Sequence, residues 1–155
     1  MKKLGFTLAE VLISLAIVGV VAAMTIPTLS SNTQKESNEA KEKVCVSDLE
    51  NAFTIMMVRE NAIEISDTVN WASSANTINE LGKYIKITNL NTVFSNSTCA
   101  EGSICFETKK KAHVQFTKNS SDASIIIDVN GASKPNKDGV DKFTYTLGSD
   151  GLMTK

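Results

Sequence analysis

The pattern of apolar and polar positions splits this chain in two. From Phe6 to Leu29 only Glu10 carries a charge. At about 1.5 Å rise per residue this stretch makes a helix of roughly 36 Å, enough to cross a hydrocarbon core of roughly 30 Å. After Pro27 the composition turns polar, Ser30 to Glu36, without a loop-length Gly/Pro cluster. The helix is therefore expected to continue, bent by Pro27 rather than ended. Cys45, Leu49, Ala52, Phe53, Met56 and Met57 then recur at steps of three and four, which makes one apolar stripe on a helix that stops near Asn61.

Beyond that point the period changes. Ile63 to Asn79 is mostly Ser, Thr, Asn and Ala around Trp71, and predicts a loop followed by a short helix. Asn76 or Thr77 would cap that helix, Gly82 would end it, and Trp71 would cover the edge of the core. Alternation of period two follows, weakly in Lys83–Ile87 and clearly in Ala112–Phe116 and Phe143–Leu147, and Ser103–Thr108 is strand-like. Ala112, Val114 and Phe116 share one face, with His113 and Gln115 on the other. Ser124–Val129 reads as a more buried strand, and Gly148–Gly151 as a turn before a final edge segment, Leu152–Lys155. These features predict an α+β protein: a long N-terminal helix whose amphipathic half packs on an antiparallel sheet with one wet face.

Charge narrows the classes. The 155 residues carry 16 basic and 17 acidic side chains, a balance that does not favour nucleic acid as a partner. Two lysines, Lys2 and Lys3, precede the apolar run, and the next basic residue is Lys35. The positive-inside bias then keeps the N-terminus cytoplasmic and sends the remainder outward. Glu10 is the anomaly, because an acid in a membrane helix is expensive and usually functional.

The segment Gly5-Phe6-Thr7-Leu8-Ala9-Glu10, with its short basic leader and with Gly19 and Pro27 inside the apolar run, resembles the processing site of type IV pilins and type II secretion pseudopilins. The resemblance is close over roughly the first 30 residues and extends only in general plan beyond about residue 60. It implies cleavage after Gly5 by a prepilin peptidase, methylation of the new N-terminus at Phe6, and a role for Glu10 in assembly. The partners it implies are copies of this chain, other pilin-like subunits in a helical filament, and an inner-membrane assembly platform. It also implies a pilin-like plan: leader 1–5, membrane and filament-core helix 6–29, amphipathic continuation 30–60, and periplasmic head 61–155.

The chemistry of these residues fits that reading. Gly5 offers a peptidase an unobstructed backbone. Cleavage leaves an amine at Phe6, one helical turn from Glu10, and in a filament the amine of one subunit meets Glu10 of another. Each charge alone in an apolar core is costly, so the pair would set axial register. The plainer role for Glu10 is to complement the positive end of the helix dipole. A rival reading is a secretory signal with Val11–Val21 as its apolar core, cut near Val21-Ala22-Ala23 to release a domain starting at Met24. The protein would then be a membrane-anchored or secreted binding domain.

Cys45, Cys99 and Cys105 suit an exported protein with one disulfide. Three pairings exist, and Cys99–Cys105 is favoured as the closest pair in a Ser/Thr/Gly-rich loop, leaving Cys45 as a buried thiol in the helical stripe. Zinc lacks a sufficient ligand set. Asp128, Asn130, Asp138 and Asp141 form an oxygen-rich loop, and the resemblance to major pseudopilins makes it a candidate calcium site. Against a metal, Lys134 and Lys137 add positive charge, and Asn, Gly and Pro make turns without one. Lys109–Lys111 reads as a solvated hairpin tip, with DNA contact of the competence-pilin kind as the alternative. His113 reads as a surface histidine. No convergent acid–base or metal constellation marks an enzyme.

Overall fold

The computed structural model describes Gly5, residues 7–90, Phe94 and residues 98–155. Helix α1 spans Leu8–Glu60 and runs through Pro27 without interruption. Asn61, at φ 51°, turns the chain out of it. Two compact units divide the chain inside this helix, Met1–Ser37 and Asn38–Lys155, so the second half of α1 belongs to the head.

Within the head, 3₁₀ turns at Ile65–Asp67 and Val69–Ala72 lead to helix α2, Ser74–Leu81. Six strands follow: β1 Ile87–Thr88, β2 Ile104–Thr108, β3 His113–Lys118, β4 Ala123–Asp128, β5 Lys142–Leu147 and β6 Met153–Thr154. They pair in sequence order, each neighbour antiparallel, which gives the expected α+β meander. The cap of α2 is Ser73, whose hydroxyl accepts from the Asn76 N–H at 3.1 Å, not Asn76 or Thr77. Thr77 is instead buried, its hydroxyl donating to the Asn70 carbonyl at 2.9 Å. The strand predicted over Lys83–Ile87 shrinks to Ile87–Thr88. The Tyr84 and Ile85 N–H groups donate back to the Leu81 carbonyl, which prolongs the helix end as turns.

The predicted helical stripe is the core. Leu49, Ala52, Phe53 and Met56 are buried against Val114, Phe116, Ile125, Ile127 and Leu147. Phe116 stacks at 6.3 Å from Phe53 and takes Trp71 edge-on at 6.1 Å. Trp71 is buried, and its indole N–H donates to the Ser120 carbonyl at 3.3 Å, so it seals the core edge as expected. Of the isoleucine run only Ile125 and Ile127 are fully buried, because Ile126 points to the other face of β4. Glu42, buried on α1, accepts from the Tyr145 hydroxyl and from Lys155 Nζ, the latter at 2.6 Å. Glu50 accepts from the Met153 N–H at 2.9 Å, and together these bonds fasten β5 and β6 to the helix.

Cys99 and Cys105 form the disulfide. It closes a short loop, for which the loop-entropy model gives about 2 kcal/mol. Cys45 is a buried free thiol. Burial, reinforced by nearby Asp48, pushes it up to about 12. Its raised value contributes stability that is complete below the ordinary thiol range and is lost as pH climbs towards 12. The expected result is no alkylation of native protein at pH 8, one reactive thiol after unfolding, and a fall in stability above about pH 9 that disappears in Cys45→Ala. Alkylation of the folded chain at pH 8 would contradict it.

Candidate functional site: the N-terminal segment and the head surface

Gly5 is exposed, and nothing lies within 4 Å of where a Cβ would stand. Phe6, the expected methylation site, lies outside the described residues. Thr7 and Glu10 form a reciprocal capping box at the start of α1. The Glu10 N–H donates to Thr7 Oγ1 at 3.3 Å, while the Thr7 N–H and hydroxyl both donate to Glu10 Oε2 at 2.8 Å. One carboxylate oxygen thus holds the helix start, and the other, Oε1, makes no hydrogen bond among the described residues. The sequence reading gives Glu10 a partner in a neighbouring subunit's amine, with the helix dipole as the plainer role; the capping box, legible in the Thr-x-x-Glu spacing, is in neither.

The helix beyond is apolar and unburied. An 18-residue window of it reaches a mean hydropathy of 2.3 with none of it buried, and among the described residues it is the one helix long and apolar enough to cross a membrane. Leu8, Leu12, Ile13, Leu15, Ile17 and Val18 are all exposed. A face of that kind needs a non-aqueous surrounding, either lipid or other helices. The segment fits membrane anchoring.

Of the candidate calcium residues, Asp128, Asn130 and Asp141 lie together, joined by hydrogen bonds, while Asp138 stands apart. Asp138 stands in solvent with its side chain 89% exposed, 3.8 Å from Lys142. Asp141 is fully buried, and its oxygens already accept from Asn130 Nδ2 at 2.9 Å, the Asn136 N–H at 2.8 Å and the Lys137 N–H at 2.6 Å. Asp128 Oδ1 accepts the Asn130 N–H at 3.2 Å. As arranged, Asp141 is spent on N–H donors and Asp138 is in solvent, while Asn130 Oδ1 is buried without a hydrogen-bond partner among the described residues. Among the described residues no group of three or more His, Cys, Asp or Glu side chains is placed so as to hold a metal ion.

His113 departs from expectation. Strand register puts Glu107, His113, Asp128 and Lys142 in one cross-strand row on the face opposite the core. Glu107 and Asp128 are buried and His113 is half-buried between them, so it is not a plain surface histidine. Two residues of the β1–β2 connection lie against this row: Asn89 Nδ2 donates to Glu107, and the buried Phe94 ring has its centroid 5.5 Å from Lys142 Nζ. The face predicted to be wet is therefore partly covered. Lys111 and Asn89, donating to Glu107, hold its carboxyl below the ordinary value. Gly131 closes the row's end at φ 63°, where a Cβ would meet the Lys111 carbonyl at 2.8 Å. The hairpin tip is solvated as expected, but Lys110 reaches Asp48 on α1 at 2.6 Å and Lys111 reaches Glu107 at 2.7 Å.

Fold and segment together define an α+β head carried on a helix with a capped, exposed apolar start. Residues 1–26 match the family model described as the prokaryotic N-terminal methylation motif, the signature of type IV pilin and pseudopilin prepilin-type segments. No curated protein and no solved structure matches the chain. The motif implies prepilin-peptidase processing and pilin-type assembly in general terms, and the α+β head is consistent with a pilin-like fold.

Proposed function

We propose that this chain is a non-catalytic structural subunit of a type II secretion pseudopilus or a type IV pilus. It inserts with its N-terminus in the cytoplasm and its head in the periplasm, is cut after Gly5 and is methylated on Phe6. It then passes from the inner membrane into a helical filament. The apolar helix serves first as anchor and then as filament core, and both settings bury the same apolar surface. Subunits add along a screw, so each contact is heterologous and open-ended.

The observation that carries this reading is Glu10. It is the sole charge from Phe6 to Leu29, and it keeps one oxygen unengaged while the other caps its own helix. That spare oxygen is the acceptor a second copy's Phe6 amine requires. Mass spectrometry of the purified native protein tests the processing step. Methylated Phe6 is the expected N-terminus; intact Met1, or a free Met24, overturns the proposal.

A further inference from the structure

The head carries opposite charge at its two ends, and α1 runs from one to the other. At the end where the head begins, Asn38 Nδ2 donates to the Val140 carbonyl at 3.1 Å, which places the β4–β5 loop there. The β2–β3 tip belongs to the same end, since Gly131 abuts the Lys111 carbonyl and the Lys109 N–H donates to the Lys86 carbonyl. Lys86, Lys109, Lys134 and Lys137 are exposed there, none of them ion-paired among the described residues, beside the paired Lys110 and Lys111 and the Lys142–Asp138 pair. At the other end the Ile65 N–H donates to the Ser149 carbonyl, which brings the first 3₁₀ turn against the β5–β6 turn. Glu60, Glu64, Asp67, Asp122 and Asp150 cluster at this end, none of them ion-paired among the described residues, with Arg59 and Lys118 as counter-charges nearby. At about 1.5 Å per residue, Asn38 and Glu60 are roughly 33 Å apart along the helix.

The acidic end also presents bare apolar side chains: Ile63 is 88% exposed, Val69 81% and Val58 69%. They lie within a turn or so of Glu60, whose carboxylate accepts the Val69 N–H at 2.5 Å. An apolar patch rimmed by one sign of charge has the anatomy of a docking surface. The opposite end supplies a complement in the same molecule: exposed lysines, whose methylene stems cover apolar surface, and exposed Pro135 between Lys134 and Lys137.

We infer that the acid-rimmed patch of Val58, Ile63 and Val69 docks the lysine-bearing end of a second copy of this chain. The inference rests on the filament reading and assigns the head contact within it. Complementary ends select head-to-tail over head-to-head contacts, because like ends repel. They also leave the contact sensitive to salt, as exposed charges are at separations near a Debye length.

Charge reversal in the full-length chain tests it. Lys134→Glu with Lys137→Glu cancels the excess positive charge of the lysine-bearing end, and Glu64→Lys with Asp67→Lys cancels the excess negative charge of the acidic end. Each double variant should be cut after Gly5 normally and lose about tenfold in assembled filament. The four substitutions combined in one chain set the new glutamates against the new lysines, and should restore assembly. As a second measure, Ile63→Cys with Pro135→Cys should cross-link neighbouring copies in assembled wild-type background. Double variants that assemble like the unmodified chain, or a combined variant that fails to recover, overturn the inference alone. A correctly processed, unmodified chain that forms no filament overturns the filament reading and this inference with it.

Discussion

Glu10→Ala leaves membrane insertion and cleavage after Gly5 intact and removes nearly all incorporation into filaments. Insertion depends on the apolar run and on Lys2 and Lys3, which the substitution does not touch. Cleavage depends on an open backbone at Gly5, where nothing crowds the chain. Assembly is different, because the methylated Phe6 amine would enter an apolar filament core with no acid to meet it. Glu10 has a second role in capping its own helix, so alanine alone does not separate the two. Glu10→Gln does, because its amide oxygen can still accept from Thr7 while the charge is gone. The expected order is full incorporation for Glu, severe loss for both Gln and Ala, and unchanged membrane fraction and N-terminal mass throughout. Gln behaving like Glu would reduce Glu10 to a capping residue. Ala behaving like Glu would favour a monomeric anchored binding domain.

Local periodicity made most of the fold legible. The three-and-four spacing of Cys45 to Met57 and the alternation in Ala112–Phe116 and Phe143–Leu147 each describe one buried face, and those faces meet. What escaped was set by partners distant in sequence. Nothing within Lys83–Ile87 says that α2 ends in turns that draw Tyr84 back to Glu80 and under Arg59, 5.5 Å from its ring. The cap fell to Ser73 because its extended backbone lets the hydroxyl reach Asn76, whereas Thr77 was needed in the core.

The candidate site divides in the same way. The processing segment is a contiguous string, and Gly5, Thr7 and Glu10 carry their chemistry at fixed local spacing. The cross-strand row Glu107–His113–Asp128–Lys142 is invisible until register is known, since a shift of one residue would send each side chain to the other face. The charge separation of the head is likewise a product of topology. In a meander, alternate turns fall at the same end, so the lysines of the β2–β3 and β4–β5 connections gather opposite the acids of the β3–β4 and β5–β6 turns.

The β4–β5 loop shows how a carboxylate can do internally what a cation would otherwise do. A calcium ion organises a loop by drawing oxygen ligands inward. Here Asp141 is the ligand drawn inward, and its oxygens are met by Asn130, Asn136 and Lys137 as N–H donors. The loop is therefore self-tied, and Asp141→Ala takes the acceptor from the Asn136 and Lys137 N–H groups and one of two bonds from Asn130 Nδ2. Buried donors without partners cost about 1–3 kcal/mol each, less where the loop opens to water, so the loss should be about 3–5 kcal/mol. For a domain whose total stability is about 5–15 kcal/mol, that is enough to populate the unfolded head. Asp141→Asn should lose nearly as much, since its NH₂ group would face one of the donors it must accept from. Denaturant unfolding of the full chain in detergent, with calcium and with chelator, measures both points. Wild-type midpoints should coincide in the two buffers, and both variants should unfold well below them. A midpoint raised by calcium would mean that Asp141 trades its N–H donors for the ion. A variant within about 1 kcal/mol of wild type would mean that the loop is shaped by its glycines and proline rather than by this carboxylate.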